Sequence, residues 1–166
     1  GFSFAAMALV STANTGDDNT KIRRITRMAL WLSLAFGLLV SPIFVFSERL
    51  LLFLGQEFNL AALASDYLIF SGIAIFPALS ASVLRCYLAG MEYVKVTFYI
   101  SIIAVLLNLL INYLLVFGMF GLPELGIIGA GIATIFVNLF MFVSFLIYAK
   151  IQLPQHNLFV RFWRLD

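Results

Sequence analysis

Two carboxamides, Asn108 and Asn112, stand near the middle of the uncharged apolar run 96–123. On an α-helix residues i and i+4 lie one above the other, so both amides point the same way. The run is long enough to cross a bilayer, and an amide turned toward lipid there is costly. The pair must therefore face other helices or a wet cavity. Two roles fit. The amides can hold helices together through interhelical hydrogen bonds worth about 0.6–2 kcal/mol each. Alternatively they line a transport pathway, where carboxamide oxygens coordinate a cation and amide nitrogens donate to an acidic partner. Thr134 and Asn138 repeat the same spacing on a later run. A mid-helix Thr can simply bond back to a carbonyl of the preceding turn, and for Thr134 taken alone that is the plainer account.

The composition says what must hold these amides. Of 166 residues 63% are hydrophobic and 11% charged, with a mean hydropathy of +1.08. A soluble domain carries about 25% charged and about 45–50% apolar residues. Too little polar surface remains to meet water, so the expected class is all-α, a multi-span helical membrane protein in contact with the lipid bilayer. A net charge of +2 gives no reason to expect a nucleic-acid partner. Cys86 is the single cysteine, which excludes an internal disulfide or a paired-cysteine metal site. No basic segment of a signal peptide precedes the first apolar stretch, and the chain starts without Met, so it reads as a fragment.

The runs divide the chain into expected spans at about 1–14, 28–47, 62–88, 96–118 and 125–149, the first of them partial. Turn formers from Asn14 to Thr20 and the basic residues Lys21, Arg23, Arg24 and Arg27 separate the first two. Ser33, Gly37 and Ser41 form a small-residue seam that lets a neighbouring helix approach. Pro42 falls near the far end of its span, and Pro77 falls inside the third, where a bend is expected. Leu50 to Leu54 reads as an apolar turn, and Gly90 to Lys95 as a tight loop. Lys150 is expected to end the last span. The stretch 153–166, with Phe159, Phe162 and Trp163 beside Arg161 and Arg164, reads as an amphipathic cytoplasmic linker at the membrane interface.

With alternating short loops, Lys21, Arg23, Arg24, Arg27, Lys95, Lys150, Arg161 and Arg164 share one side and Arg49 lies on the other. The positive-inside rule places the basic side in the cytoplasm of a plasma (inner) membrane. The basic residues near Lys21 serve as a topology signal facing anionic headgroups. Asp66, Glu92 and Glu124 sit at span ends, where solvated charge is ordinary, and the glycines between Gly126 and Gly131 suit helix packing. His156 lies in the polar tail and is given no chemistry. No nucleophile–His pair, paired intramembrane carboxylates or nucleotide-binding glycine motif is present, so catalytic residues, resident metal and cofactor are all expected to be none.

The segment Asn108-Leu-Leu-Ile-Asn112-Tyr-Leu-Leu-Val-Phe-Gly118 resembles the fifth helix of multidrug and toxic compound extrusion (MATE) transporters. Gly121-Leu-Pro123-Glu-Leu-Gly126-Ile-Ile-Gly129-Ala-Gly-Ile-Ala133-Thr134 resembles their loop into the sixth. Gly16-Asp17 with Arg23-Arg24 is similar to the loop after the second helix; Leu54-Gly55-Gln56 and the stretches 85–92 and 159–166 fit further connections. The resemblance implies a twelve-helix antiporter of two six-helix lobes, in the wider MOP superfamily, exporting small organic cations in exchange for Na⁺ or H⁺. Residues 1–152 would be part of the amino-terminal lobe, from the end of helix two through helix six. The first helix and the carboxy-terminal lobe would then be partners elsewhere in the same protein. It further implies that Asn108, Asn112 and Thr134 surround a cation site, able to hold Na⁺, completed by an acidic residue of the first helix. Some members carry Asp where Asn112 stands. A lipid-linked oligosaccharide flippase of the same superfamily is the nearest alternative, although its cavity should carry more Arg and Lys to meet pyrophosphate. A non-transporting membrane scaffold is the other; it would satisfy the polar pairs by packing alone.

Overall fold

The computed structural model describes residues 2–16, 18–118 and 123–154. They form six helices: α1 (Phe2–Thr15), α2 (Asn19–Val45), α3 (Ser47–Phe53), α4 (Phe58–Gly90), α5 (Val94–Phe117) and α6 (Gly126–Gln152). Helices α2, α4, α5 and α6 are each long and apolar enough to cross a membrane. The segment 155–166, expected as the amphipathic linker, lies outside the described residues.

Local chemistry sets the boundaries. Asp18 opens α2: its carboxylate accepts the backbone N–H of Lys21 at 3.0 Å, satisfying one of the free donors of the first turn. The basic residues therefore belong to the same helix as the span that follows. The expected apolar turn at Leu50 is instead the short helix α3, tied to α4 by a buried Ser47 Oγ to Ser65 Oγ hydrogen bond of 3.3 Å. Helix α4 begins at Phe58, earlier than expected, and is unbroken through Pro77. Its 33 residues span about 50 Å, well beyond the roughly 30 Å of a hydrocarbon core. Helix α6 runs two residues beyond Lys150, to Gln152.

Two helices end in the same way with different residues. In α3, Gln56 N–H bonds Leu51 O and Gly55 N–H bonds Leu52 O, with Gly55 at φ +84°. In α4, Tyr93 N–H bonds Leu88 O and Glu92 N–H bonds Ala89 O, with Glu92 at φ +68°. Both are Schellman caps, whose left-handed position normally takes glycine because a Cβ is strained there. The turn thus pivots on Glu92, while Gly90 stays helical and packs against the Met7 carbonyl of α1. Glu92→Gly is expected to raise stability by about 0.5–1 kcal/mol, since relief of strain outweighs the added freedom of the unfolded chain. A higher midpoint of thermal unfolding for the purified intact protein is the check.

Helix α4 is the hub. It packs against α1 and α2 on one side and α6 on the other, while α5 leans mainly on α6. Two of the three residues of the expected seam on α2 are buried, Ser33 and Gly37, with Gly37 against the ring of Phe76; Ser41 is only half-buried and its hydroxyl bonds back to Leu38 O. Large buried side chains, Tyr87, Leu84, Leu88, Ile22, Val10 and Phe145, gather where α1 ends, α2 begins and α4 and α6 end. Lys21, Arg24, Arg85, Lys95 and Lys150 stand at this basic end. The opposite end carries Glu48, Glu57, Asp66 and Glu124 and buries small residues instead, among them Ala61, Ser65, Gly129 and Gly131.

Candidate functional site

Helix α5 has a packed stripe and an open face. Thr97, Ala104 and their neighbours at helical spacing turn inward, whereas Val105, Leu109, Tyr113 and Phe117 are exposed. Asn108 and Asn112 belong to the inward side, and both are half-buried. The side chain of Asn112 donates from Nδ2 to Asn108 O at 2.8 Å and to Asn108 Oδ1 at 3.1 Å. A backbone carbonyl only accepts, so the amide orientation of Asn112 is fixed and its Oδ1 points away from its own turn.

Helix α6 repeats the device. Thr134 Oγ1 donates to Ala130 O at 2.9 Å, and Asn138 Nδ2 donates to Thr134 O at 2.9 Å. Both side chains are half-buried and lie on the opposite side of α6 from its exposed residues Phe136, Leu139, Val143 and Ile147. The Thr134 bond is the local back-bond expected of a mid-helix hydroxyl. No hydrogen bond joins the α5 pair to the α6 pair among the described residues. Asn112 Oδ1 and Asn138 Oδ1 accept none, and Asn108 Nδ2 donates none, among those residues. Asn112 spends its donors on the Asn108 carbonyl and Oδ1, Asn138 gives one to the Thr134 carbonyl, and the oxygens of both stay open. The open oxygens suit a hard cation or a ligand N–H, and the unused Asn108 Nδ2 suits an acceptor beside it.

Packing sets the register between the two helices. Gly129 lies so close to α5 that a Cβ there would stand 2.7 Å from Leu115 O, and Leu125 N–H bonds the same carbonyl at 3.0 Å. The helices are antiparallel, so five residues onward along α6 and five back along α5 cover equal distances, about 7.5 Å. Thr134 is thereby level with Leu110, between Asn108 and Asn112. On its other side α6 meets α4 through Gly131, where a Cβ would stand 2.7 Å from Phe70 Cβ. Asn138 was not among the residues that the family resemblance singled out, yet it shares the geometry of Thr134. Its i, i+4 spacing was the signal for it.

A cavity of about 380 Å³ opens at the acidic end, lined by Leu63, Asp66, Glu124, Leu125, Gly126, Ile127 and Ile128. Ile128 is six residues, about 9 Å of helix, from Thr134. No group of three or more His, Cys, Asp or Glu that could hold a metal ion occurs among the described residues.

Four long apolar helices, one face of them carrying half-buried amides with open oxygens, define a multi-pass helical membrane protein with a polar interior stripe. The MatE family model matches residues 1–114, and the chain belongs to that family. It is 41% identical, over its whole length, to a protein of Rhizobium meliloti (strain 1021) named "Probable multidrug resistance protein NorM". It is 40% identical over its whole length to a protein of the same name in Agrobacterium fabrum, and 34% identical over 90% of its length to one in Haemophilus ducreyi. The chain spans 36% of the length of the first two relatives and 32% of the third.

Proposed function

We propose that the protein to which this chain belongs is a secondary multidrug antiporter, exporting cationic amphipathic compounds in exchange for Na⁺ or H⁺ by alternating access. Asn108, Asn112 and Thr134 form one wall of its cation site, with Asn138 beside them. The basic end lies in the cytoplasm, at the inner face of the plasma membrane. What carries this reading is the hydrogen-bonding of the two pairs. If the amides served as glue they would bond across helices; among the described residues each pair bonds only within its own helix, and Asn112 Oδ1 and Asn138 Oδ1 stay open. The relatives' name, a multidrug resistance protein, supports drug export.

A cation held by these oxygens moves the transporter between states only by binding them unequally, so the wall must be complete in one state and broken in the other. Half-burial suits such a wall better than a dry core does. The test is reconstitution of the intact protein in vesicles containing a permanently cationic, amphipathic fluorescent dye. Dye movement should follow an imposed Na⁺ or H⁺ gradient. Absence of movement under both gradients would overturn the reading.

The carboxylates of Asp66 and Glu124 give the cavity at the acidic end a negative field that concentrates cations near it. Asp66→Asn with Glu124→Gln is expected to raise the half-saturating concentration of the coupling ion about two- to threefold at low ionic strength. The shift should shrink at high ionic strength, because exposed charges are screened beyond about 10 Å at 0.1 M salt. Transport rates measured against ion concentration at two fixed ionic strengths decide it.

A further inference from the structure

At the basic end a second, smaller cavity of about 80 Å³ lies between α4 and α6, lined by Ala78, Ala81, Ser82, Arg85, Met141 and Phe145. It is too small for a drug-sized ligand, which needs roughly 300 Å³ or more, but roomy for a few heavy atoms. Arg85 is exposed, and among the described residues its guanidinium makes no ion pair or hydrogen bond. Ser82, one turn earlier on the same face, is half-buried, and its hydroxyl is likewise unused among those residues. A fork of N–H donors and a hydroxyl therefore converge on one small cavity, with no carboxylate lining it.

We propose that this groove binds an anionic phospholipid of the leaflet at the basic end, its phosphate held by Arg85 and Ser82. Arginine suits phosphate because its planar fork can give two parallel charge-assisted hydrogen bonds. Depth agrees with the assignment. Arg85 is five residues, about 7.5 Å, from the end of α4, within reach of the headgroup layer for a long side chain. The order of chemistry along the groove agrees as well. Passing from Arg85 and Ser82 toward the middle of the helix, the wall becomes apolar through Ala81, Ala78 and Met141, in the sequence headgroup then acyl chain. A free phosphate ion would need the polar end alone; the apolar continuation favours the lipid.

The experiment uses the intact protein, purified and delipidated in detergent, with three probes: phosphatidylglycerol, phosphatidylcholine and inorganic phosphate. Bound lipid is counted by native mass spectrometry and thermal unfolding is followed in parallel. Phosphatidylglycerol should bind and raise the unfolding midpoint, with little response to the other two. Arg85→Ala should weaken phosphatidylglycerol binding about fivefold, the loss expected for one cation at a membrane surface. Arg85→Lys, which keeps charge but loses the fork, should fall in between, and Ser82→Ala should cost less than Arg85→Ala. Removing Lys21 and Arg24, which line no part of the groove, should leave the Arg85-dependent share intact. Equal binding of the two lipids by the unaltered protein overturns the proposal, a comparison that needs no variant to fold. So does phosphatidylglycerol binding that Arg85→Ala or Arg85→Lys leaves unchanged. Competition by millimolar inorganic phosphate would make it a soluble-anion site instead. An Arg85→Ala defect of the same size in both lipids would assign the guanidinium to a carboxylate elsewhere in the protein.

Discussion

On the proposed antiport, Asn108→Ala combined with Asn112→Ala is expected to abolish ion-dependent efflux by the intact protein while leaving its amount in the membrane nearly unchanged. Each alanine removes one carboxamide oxygen from the proposed wall. A hydrogen bond or contact to a charged group is worth about 1.5–3 kcal/mol, so the pair should lower ion affinity by roughly a hundredfold or more. Folding should suffer little, because the hydrogen bonds lost run within α5 and the side chains are only half-buried. The measurement is the initial rate of dye efflux against ion concentration, normalised to protein in the vesicles. Normal ion-dependent efflux from the double variant would remove both residues from the site. Asn112→Asp is the informative companion. An ionised Asp has no donor for Asn108 O, so its carboxyl must turn from that carbonyl or hold a proton there; it keeps oxygen ligands and adds a titratable group, so ion-dependent efflux should persist and become pH-dependent.

The second large effect is expected at Gly129. An alanine methyl there would sit 2.7 Å from Leu115 O and 2.8 Å from its carbonyl carbon, both backbone atoms. Backbone inside a helix cannot rotate aside, so α5 and α6 must separate, at a cost of about 1–3 kcal/mol. The separation falls one turn from Asn112, and efflux should fall together with stability. Gly37→Ala is the matched control: its methyl would meet the ring of Phe76 at 3.0 Å, a side chain rather than backbone. The unfolding midpoint should drop clearly for Gly129→Ala and by less for Gly37→Ala. Equal drops would show that the close approach of the α5 and α6 backbones is not what holds the pair.

The spans were legible because long uncharged runs leave a helix little alternative in a bilayer. The inward placement of Asn108 and Asn112 was legible too, since lipid penalises an amide and the helical period then fixes the side. Which way each amide pointed was not. That depended on Nδ2 choosing a carbonyl one turn back, a choice that spacing alone does not encode. Glycine misled at the α4–α5 connection. Gly90 suggested the start of the loop, but packing against Met7 claimed it for the helix, and Glu92 took the left-handed turn against its local preference. Helix α3 was missed because seven residues between polar markers carry too short a periodic signal. The register of α5 on α6 came from tertiary contact at Gly129, visible in the sequence only as a glycine among several.

The concentration of bulky buried side chains at one end has a mechanical meaning. Val10, Ile22, Leu84, Tyr87 and Phe145 interlock four helices there, whereas glycine, alanine and serine make up the buried contacts toward the other end. Interlocked bulky groups resist sliding, since any shift must lift each out of its socket; smooth small-residue surfaces offer less resistance. The chain is thus stiff where it is basic and compliant where it is acidic. Rocking of α5 and α6 would then have its fulcrum near Tyr87, and the amides, farther along the lever, would travel more than the residues around it. Backbone amide exchange should be slowest around Tyr87 and Phe145 and quicken toward Gly126, a gradient along the helices rather than a difference between them.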